Sequence, residues 1–290
     1  MKCIVTGGAG FIGSHIAELL LKKGHEVTVI DNLSAGKMEN VPKGARFVDA
    51  DVTNSWHWIS QQFDGVDWVF HNAASKKRVC LIDPQKDLRV NGGGTLNLLR
   101  IAAEHKVKKF VHASTGSVYG ERHDYEPEIL ESSATDPNSY YGISKLAGEN
   151  YARLFMKDLN VTILRYFHVY GDRQEDNPDF GGVVAIFKKQ ISEGKGVVVF
   201  GSGEQQRLFT HVEDIAYANL LVAEKPETNG QIYNCVASKP ITINALVKKM
   251  GAKKVTYAPA LEGDIFKFDV SNEKIKKLGA TFRNFNIKWV

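Results

Sequence analysis

Tyr141 and Lys145 stand four residues apart in Tyr140–Lys157, a segment whose apolar residues recur at helical spacing, so both side chains leave one face of a helix. A free tyrosine hydroxyl releases its proton near about pH 10, too high for a base at neutral pH, and a cation fixed beside it brings that value down. Such a pair can take a proton from a substrate hydroxyl while hydride leaves the same carbon. Tyr140 competes for the role, but only Tyr141 precedes a lysine by four residues. A Y-x-x-x-K spacing also arises by chance, and alone it describes a solvated surface pair.

Ser114-Thr-Gly-Ser-Val-Tyr-Gly120 follows the apolar run Lys108–Ala113. In an open α/β sheet, ligands bind beyond the carboxyl ends of strands, so Thr115 or Ser117 is placed to hydrogen-bond the reacting hydroxyl. Without Tyr141 the segment reads as an ordinary turn. Thr6-Gly-Gly-Ala-Gly-Phe-Ile-Gly13 lies between a strand and a helix, with Gly7, Gly10 and Gly13 at G-x-x-G-x-x-G spacing. That spacing serves a tight turn, close backbone approach to a pyrophosphate and a helix N-terminus facing the anion. Glycine trios also occur in plain turns; the flanking strand and helix give this one its weight. Asp31 closes the second strand, where an acid accepts from the adenine ribose hydroxyls, against the alternative of a solvated turn residue before Asn32. A carboxylate there repels a 2′-phosphate, which favours NAD over NADP. Asp51, after the third strand, is a candidate for the adenine amino group or a plain turn aspartate.

The elements that must position these residues are legible as an alternation. Lys2–Thr6, Glu26–Ile30, Asp67–Phe70, Lys108–Ala113 and Val161–Tyr166 read as buried strands, and Phe11–Lys23, Leu88–Glu104 and Tyr140–Lys157 as helices between them. The pattern predicts an α/β fold with a doubly wound parallel sheet. The texture changes after Gly171: Asp172–Gly182 is polar, and Val197–Phe200 and Val212–Ala223 are short mixed elements. Residues 1–170 are therefore expected to form a cofactor-binding domain, with segments around 205–236 returning to it, and 171–290 mainly a smaller mixed α/β substrate-binding lobe. At 290 residues the chain can bury a large core. A net charge of +4 without a basic run argues against nucleic acid as a partner. Cys3, Cys80 and Cys235 form no C-x-x-C pair and read as buried, reduced thiols; no metal-ligand set is read. No apolar stretch reaches a membrane span and no cleavable signal opens the chain, so no membrane association and a cytoplasmic location are expected.

Seven motifs occur in a fixed order: T-G-G-A-G-F-I-G, Asp31-Asn32, His71-Asn-Ala-Ala74, Asn91 with Gly94-Thr95, S-T-G-S-V-Y-G, Tyr141-Gly-Ile-Ser-Lys145 and Arg165-Tyr-Phe-His-Val-Tyr-Gly171. Together they resemble the extended short-chain dehydrogenases of the NAD-dependent epimerase/dehydratase family, and within it the UDP-glucose 4-epimerase group. The resemblance implies a Rossmann fold, NAD as cofactor and a nucleotide sugar, UDP-hexose above others, as substrate. It places the cofactor against Gly7, Gly10, Phe11, Ile12, Gly13, Asp31, Asn32, Asp51, Val52, Asn72, Ala73, Ala74, Lys76, Asn91, Tyr141, Lys145 and Tyr166. Thr115 takes the place of the catalytic serine or threonine, with Ser117 beside it on the substrate. Lys76 falls near the nicotinamide ribose, Phe200 against the uracil, and Arg207 on the diphosphate. The same likeness implies a homodimer in which Leu88–Glu104 and Tyr140–Lys157 pair into a four-helix bundle.

Gly116 and Ser117 discriminate within that family. Related dehydratases carry an Asp-Glu pair after the threonine and decarboxylases a glutamate, acids that elimination or loss of carboxylate requires. Their absence leaves redox chemistry alone, and 4-epimerisation is the economical form: oxidation at C4 and hydride return to the opposite face. The rival readings are a nucleotide-sugar reductase or dehydrogenase with net NAD(H) turnover and a non-catalytic NAD-binding regulator. Retention of Thr115, Tyr141 and Lys145 together opposes the second. Three departures stand out. His168 replaces the asparagine of R-Y-F-N, either as a sugar or phosphate contact or as a packing residue. The second phosphate-binding arginine, expected near Pro259–Asp264, falls on Leu261, with Lys76, Lys77 or Arg78 as candidate replacements or merely a solvated basic loop. The chain ends at Trp289-Val290 where the resemblance implies a further helix. Phe266 or Phe268 lies near the family's gate position, where bulk disfavours N-acetylated hexoses.

Overall fold

The computed structural model describes all residues except 55, 76, 121–127, 177–181, 238, 261–268 and 287–290, together with the side chains of Lys77 and Arg78. Seven strands form one sheet: β1 Lys2–Thr6, β2 Glu26–Asp31, β3 Arg46–Asp49, β4 Trp68–His71, β5 Lys109–Thr115, β6 Val161–Tyr166 and β7 Gln231–Cys235. Their order is β7-β6-β5-β4-β1-β2-β3, and every pairing is parallel. Successive side chains feed opposite faces. Val5, Val29, Phe70, Val111 and Leu164 pack under the helices Phe11–Lys22 and Val212–Glu224. Their neighbours Ile4, Ile30, Val69, Phe110 and Ile163 pack under Thr95–Glu104 and Tyr140–Phe155. Both faces are thus covered, which is why the strands read as flat apolar runs rather than as alternating ones. The winding reverses between β1 and β4, opening a crevice above their carboxyl ends.

Two elements differ from the sequence reading. The expected single helix Leu88–Glu104 is divided: Pro84–Leu88 is α-helical, Arg89–Gly94 is a π-helical turn, and the α-helix resumes over Thr95–Glu104. Three successive glycines weaken the α-helical preference there. Close packing completes the effect, since a Cβ on Gly94 would meet Val52 Cγ2 at 2.6 Å. The edge strand β7 is not announced by an apolar run, because Gln231 and Asn234 interrupt it; its pairing with β6 defines it.

Beyond β6, the helices Val183–Ser192 and Ile243–Lys249 and the parallel strand pair Val197–Phe200 and Val255–Ala258 enclose a separate apolar cluster, with Tyr170, Phe187, Val199, Phe209 and Leu246 at its centre.

A buried polar network centred on an ion pair crosses the main core. Arg165 of β6 and Glu149 of the helix Tyr140–Phe155 are both 0% exposed and form an ion pair. Arg165 Nε donates to Glu149 Oε2 at 3.0 Å, and its Nη1 donates to Tyr119 Oη at 2.6 Å. Ser114 Oγ donates to the same carboxylate at 2.9 Å, and Arg153 contributes a further bond at 2.8 Å. Tyr119 Oη passes the chain on to Asn234 of β7 at 2.8 Å. With its donors and acceptors matched, this network fixes the helix against β5, β6 and β7. Arg165→Met leaves Glu149 buried with only Arg153, itself half exposed to water, as a cationic partner. Urea denaturation is expected to show a loss of about 3–5 kcal/mol. An unchanged midpoint would remove the pair from its structural role.

Candidate active site

The crevice at the winding reversal is a cleft of about 880 Å³, at the upper end of what a single small-molecule ligand fills. Gly7, Gly10, Phe11, Ile12 and Gly13 form one wall. Gly7 adopts φ +69°, and a Cβ there would meet Ala73 N at 2.7 Å; one on Gly13 would meet Gly7 O at 2.3 Å. The loop therefore brings backbone to the cleft with no side chain in the way. The helix Phe11–Lys22 follows without an acidic residue in its first turn and without a side-chain cap, so its free N–H groups and the positive end of its dipole face the space.

Asp31 and Asn32 line the next sector, with Asp51 and Val52 beyond them. Asp31 Oδ2 accepts from Ala9 N at 3.0 Å and Oδ1 from Leu33 N at 2.8 Å, so the carboxylate also braces the glycine loop. Burial pushes this carboxyl up against those bonds. Burial opposes ionisation of Asp51 too, but bonds from Thr53 and Asn32 outweigh it and hold that carboxyl below its ordinary value. The segment Ser34–Asn40 closes this end and was not anticipated from the sequence. Gly36 is its legible signal: a Cβ there would meet Ala9 at 2.7 Å, and Lys37 N and Asn40 Nδ2 both donate to Ala9 O. Arg173, Gln174, Glu175 and Asp176 are likewise lining residues from a stretch legible only as polar loop. Arg173 takes φ +63° and donates to Ser14 Oγ at 3.2 Å and to Glu18, latching that loop onto the first helix.

Asn72, Ala73, Ala74, Tyr166, Tyr141 and Lys145 complete the cleft, joined by Ser114. Asn72 Nδ2 is buried without a hydrogen-bond partner among the described residues, a donor suited to an acceptor on a bound group. The glycine cradle, the helix N-terminus, the acid at the end of β2 and this orphaned amide together fit a dinucleotide.

Lys145 Nζ donates to Ala113 O at 2.6 Å, which ties its helix to β5. Burial brings this ammonium down to about 8, with Asp87 and Glu149 opposing the fall. Burial pushes the Tyr141 hydroxyl up to about 12, Asp87 and Cys80 adding to the rise. The lowering of Tyr141 expected from its lysine is therefore not seen in the chain by itself: burial dominates, and the nearby groups that act on the phenol raise it further. Asn91 does not line the cleft. It lies one layer behind, fully buried in the π-helical turn, accepting from Ser75 N at 2.9 Å and donating to Ser144 Oγ at 2.9 Å.

Thr115 and Ser117 lie just past Ser114 but outside the cleft lining, and they bond to one another: Thr115 Oγ1 accepts from Ser117 N at 3.2 Å and donates to Ser117 Oγ at 3.3 Å. Three further candidates are set apart from the cleft. His168 takes φ +37° and packs edge-to-face on Phe209, with ring centroids 6.2 Å apart. Phe200 ends its strand 41% exposed, and Arg207 Nη1 donates to Gln206 O at 2.7 Å. Lys76, Leu261, Phe266, Phe268 and Trp289-Val290 lie outside the described residues, as do the side chains of Lys77 and Arg78. Among the described residues, no cluster of metal-ligating side chains occurs.

Gly13→Ala tests the cradle. The added methyl meets backbone rather than a side chain, so the loop must move away from the helix end. NAD binding measured by calorimetry is expected to weaken by at least about tenfold, roughly 1.4 kcal/mol, with circular dichroism unchanged. Retained affinity would place the cofactor elsewhere.

The family model for the NAD dependent epimerase/dehydratase family matches residues 3–235. A UDP-glucose 4-epimerase of Mycolicibacterium smegmatis is 36% identical over 81% of this chain and 76% of its own. A UDP-N-acetyl-alpha-D-glucosaminuronate decarboxylase of Bacillus cytotoxicus is 35% identical over 80% of this chain and 74% of its own. Among solved structures, a UDP-glucose 4-epimerase of Thermotoga maritima with UDP-glucose superposes with a TM-score of 0.91 at 36% identity, covering 98% of this chain and 94% of that one. The match of more than half the chain to the family model, on a sheet and glycine cradle of this geometry, shows that this protein belongs to the NAD-dependent epimerase/dehydratase family of nucleotide-sugar enzymes.

Proposed function

We propose that the chain is an NAD-dependent nucleotide-sugar 4-epimerase acting on UDP-hexoses of the UDP-glucose/UDP-galactose kind. Epimerase, decarboxylase and dehydratase relatives share the fold, so the choice among reactions rests on the turn after β5. The observation that carries it is Gly116. A Cβ at that position would meet the Phe167 ring at 2.3 Å, and the ring is buried. The resemblance puts the first acid of the dehydratases' Asp-Glu pair at this residue, and here an aromatic side chain takes up that space. Ser117 supplies a hydroxyl, which neither protonates a leaving hydroxyl nor abstracts a carbon-bound proton at neutral pH.

NAD, when bound, supplies the hydride acceptor and a positive charge beside Tyr141. With that charge in place Tyr141, as its phenolate, would accept the proton of the C4 hydroxyl at Oη and, as the phenol, would return it to the same oxygen when the 4-keto group is reduced. Lys145, held on Ala113 O, presents a cation that favours the phenolate during that exchange. Thr115 is proposed to bond the reacting oxygen and Ser117 to assist. His168, Phe200 and Arg207 are proposed substrate contacts, Arg207 suiting a diphosphate because a guanidinium grips two phosphate oxygens at once.

Incubation with UDP-, dTDP-, GDP- and CDP-hexoses plus NAD, followed by chromatography, is expected to interconvert a UDP-hexose pair without accumulating NADH. Net NADH would favour the dehydrogenase reading instead. Tyr141→Phe is expected to lower kcat by between about a hundredfold and ten-thousandfold, and full activity in that variant would end the proposal.

We also propose a homodimer. Tyr140, Ile143 and Leu154 leave the helix Tyr140–Phe155 exposed, and Leu81, Ile82 and Leu88 stand exposed on the neighbouring turns. An apolar face of this kind on a long helix suits a partner helix of a second copy. Sedimentation at micromolar concentration is expected to give a dimer, and a monomer alone would refute it. A cytoplasmic location is proposed because Cys3, Cys80 and Cys235 are all buried and none is in a disulfide. Among the described residues no helix is long and apolar enough to cross a membrane.

A further inference from the structure

Beneath the Tyr141–Lys145 turn lies a carboxylate that the reaction as described leaves unused. Asp87, on Pro84–Leu88, is fully buried. Its Oδ1 accepts from Asn91 Nδ2 at 3.0 Å, while its Oδ2 has no hydrogen-bond partner among the described residues. The same Asn91 amide donates its second hydrogen to Ser144 Oγ at 2.9 Å, and Ser144 Oγ donates to Tyr141 O at 3.0 Å. Because Asn91 Oδ1 accepts from Ser75 N at 2.9 Å, the amide cannot turn over, and its nitrogen must face the carboxylate. Asp87 is thus one side chain removed from the residue preceding Lys145. A buried carboxylate with an idle oxygen is costly unless a cation shares its surroundings.

We infer that Asp87 is a positioning residue of the active site, a buried anion braced through Asn91 and Ser144 that keeps Lys145 an ammonium. The inference rests on the reading of Tyr141 and Lys145 as the acid–base pair. The other groups around the lysine contribute less, Glu149 after Asp87. Glu149 is neutralised by Arg165 and Arg153. His71 and His112 are held neutral by burial and carry no negative charge in either state. Tyr141 is pushed up by burial and stays a phenol while Lys145 titrates. Lys86 and Arg89, on and next to the Asp87 helix, are exposed to water. Asp87 is then the largest of the negative charges offsetting the burial of Lys145, which stands at about 8 with that carboxylate in place and would fall further without it.

The test is an NMR titration of protein carrying 13C-labelled lysine, with the Lys145 signal assigned by its loss in Lys145→Met. Asp87→Asn keeps an acceptor for Asn91 and removes the charge; Asp87→Glu keeps the charge. The Lys145 midpoint is expected near about 8 in the native chain. It is expected roughly one pH unit lower in Asp87→Asn, and to recover in Asp87→Glu. The alkaline limb of the kcat profile should move down by the same interval, which a purely structural role would not do. An unmoved midpoint overturns the inference. Should Asp87→Asn fail to fold, Asp87→Ser, smaller and uncharged, carries the same expectation. The titration needs no substrate, so a displaced midpoint without epimerisation defeats the functional proposal alone. Epimerisation with an unmoved midpoint defeats this one alone.

Discussion

The buried pair between Arg165 and Glu149 is the constraint from which the site takes its shape. Glu149 sits one helical turn beyond Lys145, so fixing it on β6 fixes where Tyr141 and Lys145 meet the sheet. The same two charges bind Ser114, at the mouth of the cleft, and Tyr119, at the end of the turn that carries Thr115. Strand end, turn and helix are therefore located by one set of hydrogen bonds rather than by apolar packing, which tolerates sliding. A buried ion pair adds little net stability over a well-packed apolar substitute, but its geometry admits few alternatives. Here directionality is what a proton-transferring site needs.

The layer under the cleft is buried, and its polar groups are arranged for that condition. His71 bonds Thr6 and Thr95 through its two nitrogens and is pushed down to about 3 by burial, remaining neutral. His112 beside it is also driven well below its ordinary value by burial, and both of its ring nitrogens lack partners among the described residues. Lys145 and Asp87 are thus the charges that matter locally. Burial strengthens their effect by lowering the local dielectric, and the raised Tyr141 shows how strongly the surroundings oppose a phenolate until further positive charge is brought close.

Much of this was legible in the sequence for a definite reason. Parallel strands covered on both faces leave continuous apolar runs, and the glycine spacing at residues 7, 10 and 13 has few uses between a strand and a helix. Tyr141 and Lys145 were legible because a helix turns geometry into spacing. What escaped notice depends on contacts between segments distant in the chain. Arg165 reads as a charge in an apolar run, and only the fold brings Glu149 to it. The π-helical turn at Asn91 is written in three glycines, but its register is set by Val52 from another segment. The lining role of Arg173 depends on its reach to Ser14 and Glu18, with no local signal beyond a polar loop. The balance at Tyr141 was misjudged because spacing shows a neighbouring cation and says nothing of burial.

The packing of Phe167 over Gly116 also bears on how such a chain can change. Phe167 follows Arg165 by two residues, and its backbone N–H donates to Cys235 O of β7 at 3.3 Å, so the ring has little freedom to withdraw. An acid introduced at residue 116 alone would have to displace a side chain anchored on both flanks. Any side chain larger than glycine at residue 116 is therefore expected to need a compensating change at residue 167, with an intermediate that is poorly packed in one order or hollowed in the other.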